Sequence, residues 1–216
     1  MINIVFDFDS TLVQNESFND VLKLALNNDT EKVKLVDEIV DKAMNGLITP
    51  EESMNFRLKI ASFDKTLIEK VVKETKITDG MESLVAKLKQ DYNLFIVSGG
   101  FKEMIIPVAK KIGIEDNEIY ANDFKYENNI VVGVEKSLLL QEQGKVKLLN
   151  KLKDDGILKG EIITIGDGWT DFETYKFGAA NHFIAFGGVV RRERVFNEAT
   201  LKANDMKELE KIIYSI

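Results

Sequence analysis

Short apolar runs recur along this chain with helical periodicity between them, and that alternation constrains the fold more than any other feature. The runs are "INIVF" (2–6), "NLFIVS" (93–98), "EIYAN" (118–122), "EIITIG" (161–166) and "HFIAF" (182–186). Brief, nearly unbroken apolar segments of this kind suit strands buried on both faces of a parallel sheet. Between them, Ile105, Ala109 and Ile112 share one helical face, one helix is predicted from Lys145 and another from about Thr170. Met206, Leu209, Ile212 and Ile213 mark a closing amphipathic helix. Strand–helix alternation implies an α/β fold, a parallel sheet with helices on both faces. "KYENNIVVGV" (125–134) departs from the pattern and predicts a hairpin turning at Asn128-Asn129.

One long stretch breaks the alternation after the first strand. From Ser17 to about Lys76 the spacing is helical throughout. Phe18, Val21, Leu22 and Ala25 share a face, as do Val33, Val36, Ile39, Val40 and Ala43, and later Leu67, Ile68, Val71 and Val72. "TPEE" (49–52) is a helix start, with Thr49 as N-cap, Pro50 in the first turn and Glu52 closing a capping box. We therefore expect a core domain made of 1–13 and 78–216, interrupted by a small helical bundle at 14–77.

The composition excludes several kinds of chemistry. With no cysteine there is no disulfide, thiolate metal site or thiol nucleophile, and with one histidine, His182, acid–base work falls to carboxylates or lysines. A net charge of −7 disfavours general binding to nucleic acid or anionic membrane. No apolar stretch reaches the ~18 residues that span a bilayer, and Met1 runs into the first strand with no basic leader. A cytoplasmic monomer or homodimer is the expectation.

The strand ends carry the reactive groups. Asp7 and Asp9 in "IVFDFDSTLV" are two residues apart, so both can face one spot beyond the first strand. Ser98-Gly99-Gly100 follows the second run, and Asp167, Gly168, Thr170 and Asp171 follow "EIITIG". Ligands of open α/β sheets bind at that edge. Two carboxylates ~4 Å apart repel by about 4 kcal/mol at an effective dielectric of 20. A cluster of them needs a cation, and hard oxygen donors point to Mg²⁺, which shares phosphate oxygens. Ser98, with the amides after it at a helix N-terminus, suits a phosphate, and Lys145 supplies positive charge.

"DFDST" (7–11), "SGG" (98–100), Lys145 and "GDGWTD" (166–171) resemble, in order, the motifs of the haloacid dehalogenase superfamily. The resemblance implies an inserted cap over a Rossmann-like core and an aspartyl-phosphate mechanism. Asp7 would be the nucleophile and Asp9 the general acid and base. Asp167, Asp7 and the Asp9 backbone carbonyl would hold Mg²⁺, with Asp171 supporting the metal, water or Lys145.

Within that superfamily the chain is most similar to the phosphoserine phosphatase family, whose substrate is O-phosphoserine. By that resemblance Glu16 would hold the substrate ammonium and Arg57 its carboxylate. Met44 and Thr170 would lie beside the ligand, and Arg192, in "FIAFGGVVRRERV", would be a further substrate contact. Trp169 stands where the family usually has a small residue, so a narrower pocket or altered preference is expected. Other readings are a related phosphatase for another small phosphorylated metabolite, and a phospho-accepting module without turnover.

Overall fold

The computed structural model describes residues 2–27 and 29–216. Met1, the first residue of the expected core domain, and Asn28, inside the helical stretch, lie outside the described residues. The first strand is β1 (Ile2–Phe6), followed by helices α1 (Ser17–Ala25), α2 (Thr30–Met44), α3 (Pro50–Ile60), α4 (Lys65–Glu74) and α5 (Met81–Leu88). Then come β2 (Asn93–Phe101), α6 (Lys102–Ala109), β3 (Ile119–Asn122), β4 (Phe124–Glu127) and β5 (Ile130–Val134). The rest is α7 (Gly144–Asp154), β6 (Glu161–Gly166), α8 (Trp169–Lys176), β7 (His182–Phe186), α9 (Glu193–Glu198), β8 (Leu201–Ala203) and α10 (Met206–Ile213).

Among the described residues the main sheet has six strands in the order β3-β2-β1-β6-β7-β8, all parallel. The chain builds outward from β1 to β2 and β3, then returns to add β6, β7 and β8 on the other side. β1 and β6 are therefore neighbours at the point where the order reverses, which is where a crevice opens at the strands' C-terminal ends. Period-two burial fixes the register: Ile4 and Phe6 enter one core layer with Ile96, Ile163 and Ile165, while Val5 enters the other with Phe95, Val97 and Ile162.

The helical stretch forms as its periodicity indicates, and the capping box at Thr49 and Glu52 is present with both reciprocal hydrogen bonds. Its core is not its own, however. Phe18, Val21, Leu22, Val36, Met54, Ile68 and Val71 pack with Phe63, Phe101, Met104, Phe124 and Val131, which draws in the end of β2, α6 and the β4–β5 hairpin. Phe101 and Phe124 stack with ring centres 3.5 Å apart, and Phe18 meets both edge-on or tilted. The hairpin turns at Asn128 and Asn129, both with positive φ, as the Asn-Asn pair indicates.

Candidate active site

β1 stops at Phe6, and the chain leaves it through an irregular turn over Phe8–Leu12. Asp7 and Asp9 keep extended backbone angles while Phe8 between them drops into the sheet core. Both carboxyls line one cavity as a result. Ser10 completes the turn in the left-handed region at φ 54°.

The cavity has a volume of about 90 Å³. Asp7, Asp9, Ser98, Gly99, Gly100, Lys145 and Thr170 face it from the α/β core, and Glu16, Asn19, Met44, Ser53, Met54 and Arg57 from the helical stretch. Below its floor, Asp7, Asp167 and Asp171 each offer a carboxylate oxygen within 4.8 Å of the others, and all three are buried. Lys145 Nζ bridges two of them, at 2.9 Å from Asp7 Oδ1 and 2.6 Å from Asp171 Oδ1. Burial works against the lysine's charge, but Asp171 and Asp7 outweigh it and hold the ammonium above its usual range. Gly166 lets Asp171 approach, since a Cβ there would collide with that carboxyl.

Asp9 is held differently. Its Oδ1 accepts from the Ser17 N–H at 2.9 Å and the Ser17 hydroxyl at 2.5 Å. Burial, reinforced by the charge of Glu16, still pushes this carboxyl up to about 8 against those two hydrogen bonds. Burial and the Asp7 charge push Asp171 up to about 7, opposed by Lys145. Burial also raises Asp167 well above the usual carboxylate range, although Arg192 opposes it.

The expected residues converge with two exceptions. Arg192 is absent from the cavity wall: its Nε lies 2.7 Å from Asp167 Oδ2 and its Nη2 3.1 Å from Glu16 Oε1. Burial penalises a lone guanidinium, so Arg192 turns to these two acids, which raise its pKa. Trp169 does not line the cavity either; it packs on Phe172 at the seam with the helical stretch. The glycine loop also differs from expectation. Gly99 and Gly100 continue β2 as irregular strand, and α6 begins only at Lys102, so their amides do not form a helix N-terminus. Ser98 Oγ accepts from Gly100 N–H at 3.0 Å, and Asn122 donates to the Gly99 carbonyl at 2.8 Å.

Several site residues escape the sequence reading. Ser17 fixes Asp9, and Asn19 accepts from Arg57 Nη1 at 3.3 Å. Ser53, one turn before Arg57, lines the cavity with a buried hydroxyl that has no hydrogen-bond partner among the described residues. Asn122 closes a buried apolar strand with a polar side chain, the signal that marks Asp7, and was legible on that ground.

The acidic floor fits a hard divalent cation. Three buried carboxylates converge, and Asp167 Oδ1 is buried without a hydrogen-bond partner among the described residues. Two of the three are partly neutralised by Lys145, and the third by Arg192 through its other oxygen.

Residues 4–176 match the family model for haloacid dehalogenase-like hydrolases. The Homo sapiens phosphoserine phosphatase is 31% identical over 211 residues, covering 95% of this chain and 90% of that protein. A phosphoserine phosphohydrolase-like protein from Francisella tularensis superposes with a TM-score of 0.91 at 33% identity, covering 99% of this chain and 100% of that one. A phosphoserine phosphatase solved as a phospho-aspartyl intermediate analogue gives 0.82 at 28% identity, with 99% and 98% covered.

Proposed function

The chain belongs to the haloacid dehalogenase-like hydrolases, and on that footing we propose that it hydrolyses O-phosphoserine to serine and phosphate with Mg²⁺ as cofactor. One observation carries the substrate reading. The cavity that holds Asp7 and Asp9 is also lined by Glu16 and Arg57, opposite charges suited to an ammonium and a carboxylate beside a phosphate. The relatives at about 30% identity, named for this reaction, support it.

In this reading an Asp7 oxygen attacks phosphorus and the bond to the serine oxygen breaks. Asp9 gives that oxygen its proton, so serine leaves neutral at the hydroxyl. Asp9 suits the task because burial keeps its carboxyl protonated near neutrality, while Ser17 occupies Oδ1 and leaves Oδ2 to carry the proton. In the second half a water attacks the phosphoryl group, Asp9 takes the water's proton, and the Asp7–phosphorus bond breaks to release phosphate. Lys145, held by Asp171, offers its charge to the phosphoryl oxygens beside Asp7, and Ser98 with the Gly99 and Gly100 backbone lines the same wall. Asp7, Asp167 and the Asp9 backbone carbonyl would hold Mg²⁺, with Asp171 in support; when bound, the ion supplies positive charge that neutralises the acidic floor and the phosphate. The helices of residues 14–77 act as the cap, contributing Glu16, Met44 and Arg57 and excluding bulk water. Arg192 reaches the substrate side through Glu16 rather than from the cavity wall.

Phosphate release measured across a metabolite panel, with Mg²⁺ or with EDTA, tests the proposal. O-phosphoserine should be the preferred substrate, with activity lost in EDTA. Analogues lacking the amine or the carboxylate should fall well behind. Equal turnover of all three, or of a phosphate bearing neither group, contradicts the substrate reading.

A further inference from the structure

Trp169 follows the cavity's floor in sequence but its indole serves the seam between core and helices. It begins α8 and is 9% exposed. The Arg194 guanidinium, from α9, lies 3.8 Å from its ring centre. Arg194 Nη1 also donates to the backbone carbonyl of Asn45, immediately after α2. The next residue, Gly46, takes φ +67°, and a Cβ built there would lie 2.5 Å from the indole Cδ1. Backbone of the α2–α3 turn is thus pressed directly onto the indole, and only glycine satisfies both the angle and the space. Two residues earlier, Met44 lines the cavity and its Sδ sits beside Gly168.

We propose that Trp169 and Arg194 form a latch that holds the Asn45–Gly46 turn down, and with it Met44, over the cavity. Trp169 is a positioning residue here: it grips the turn and touches no reacting group. The reason for a latch lies in how the helices are anchored. α1 and α4 share the aromatic core with Phe101 and Phe124, whereas α2 contributes only Val36 to that core among the described residues and α3 contributes Met54 with the half-buried Leu58 and Ile60. The α2–α3 turn at the far end is held to the core by Arg194, the indole and the long contact of Arg192 Nη1 to Asp41 at 3.8 Å. Asp41 is exposed and that ion pair contributes little. Arg194 couples a cation over an indole with a hydrogen bond to a backbone carbonyl, so its loss should release the turn.

The chain has a single tryptophan, so all indole emission reports on this seam. In the wild-type protein acrylamide should quench that emission poorly. Arg194→Ala and Gly46→Ala attack the latch from opposite sides and should each raise quenching severalfold and red-shift the emission, with cooperative melting retained. The kinetic consequence rests on the phosphatase reading. Lowering the closed fraction raises KM for O-phosphoserine on the order of tenfold, the range a desolvated cation–π contact spans, with a smaller change in kcat. Arg194→Lys, which keeps the charge, should recover part of both effects. Unchanged quenching in the folded variants overturns the latch, as does raised quenching with KM unmoved. A wild-type indole as open to acrylamide as free tryptophan overturns it with no variant needed. A wild-type protein that leaves O-phosphoserine intact refutes the substrate reading alone, because the quenching measurements still judge the latch.

Discussion

Ser17 delivers both its backbone N–H and its hydroxyl to one oxygen of Asp9, while Lys145 reaches Asp7. Two neighbouring aspartates receive opposite treatment: one sits beside a cation, while burial and the nearby Glu16 keep the other protonated near neutral pH against its hydrogen bonds from Ser17. Asp9→Asn is expected to lose about 10²–10⁴-fold in kcat, the usual contribution of positioned proton transfer, in phosphate-release assays. The Ser17 bonds favour the charged carboxylate, so removing the hydroxyl should raise the Asp9 pKa further. Activity that needs Asp9 protonated falls as pH rises through that value, so Ser17→Ala should shift the alkaline limb of the kcat profile upward. Arg57 is half-buried and burial pulls it down to about 10 against the pull of Glu16 and Asp9. Arg57→Ala is expected to cost about 2–5 kcal/mol in kcat/KM for a carboxylate-bearing substrate, through loss of a desolvated charge pair. The same variant assayed on a simple aryl phosphate should lose far less; equal losses contradict a carboxylate role.

At the scale of elements, the aromatic seam where β2, the hairpin and the helices meet decides whether the site holds together. Phe124 is buried, stacks on Phe101 and touches Phe18, Phe63 and Tyr126. Phe124→Ala is expected to cost about 3–5 kcal/mol in urea unfolding. Much of this layer was readable in advance: "INIVF", "EIITIG" and "HFIAF" are β1, β6 and β7 to the residue, and "TPEE" is the start of α3. Those segments announce themselves through unbroken apolar runs and local capping chemistry. β8 does not, because three residues carry no period, and it forms only because β7 offers an edge to pair with. β2 runs on through two glycines that read as a break, held extended by Ser98 and Asn122. The pairing of Arg192 with Glu16 crosses 176 positions, and no spacing rule reaches that far. The same is true of the indole against Gly46: the motif places Trp169 next to Thr170, but packing, not sequence distance, turns it to the seam.

Across the whole molecule, the site's buried acids set how stability depends on pH. Asp9 and Asp171 are raised to about 8 and about 7, and Glu16 and Asp167 are raised too, chiefly by burial. Groups with folded pKa values above their unfolded ones stabilise the fold when protonated, and that stabilisation is lost as pH climbs through the folded values. In EDTA, Tm should therefore fall between pH 5 and pH 8, and Mg²⁺ should recover it most at the upper end, where the carboxylates are charged. A Tm rising over that window in EDTA, or indifferent to Mg²⁺ at pH 8, contradicts a cation-linked acidic floor. In the proposed mechanism Asp7 is made an attacking group by the charges gathered under it. Rapid acid quenching of the Mg²⁺-loaded protein during turnover of O-phosphoserine, followed by peptide mass spectrometry, tests this directly. The expected result is one added phosphoryl group on the peptide carrying Asp7, absent in Asp7→Asn along with phosphate release. Turnover by Asp7→Asn at the wild-type rate, or a phosphoryl group found on any other residue, contradicts it.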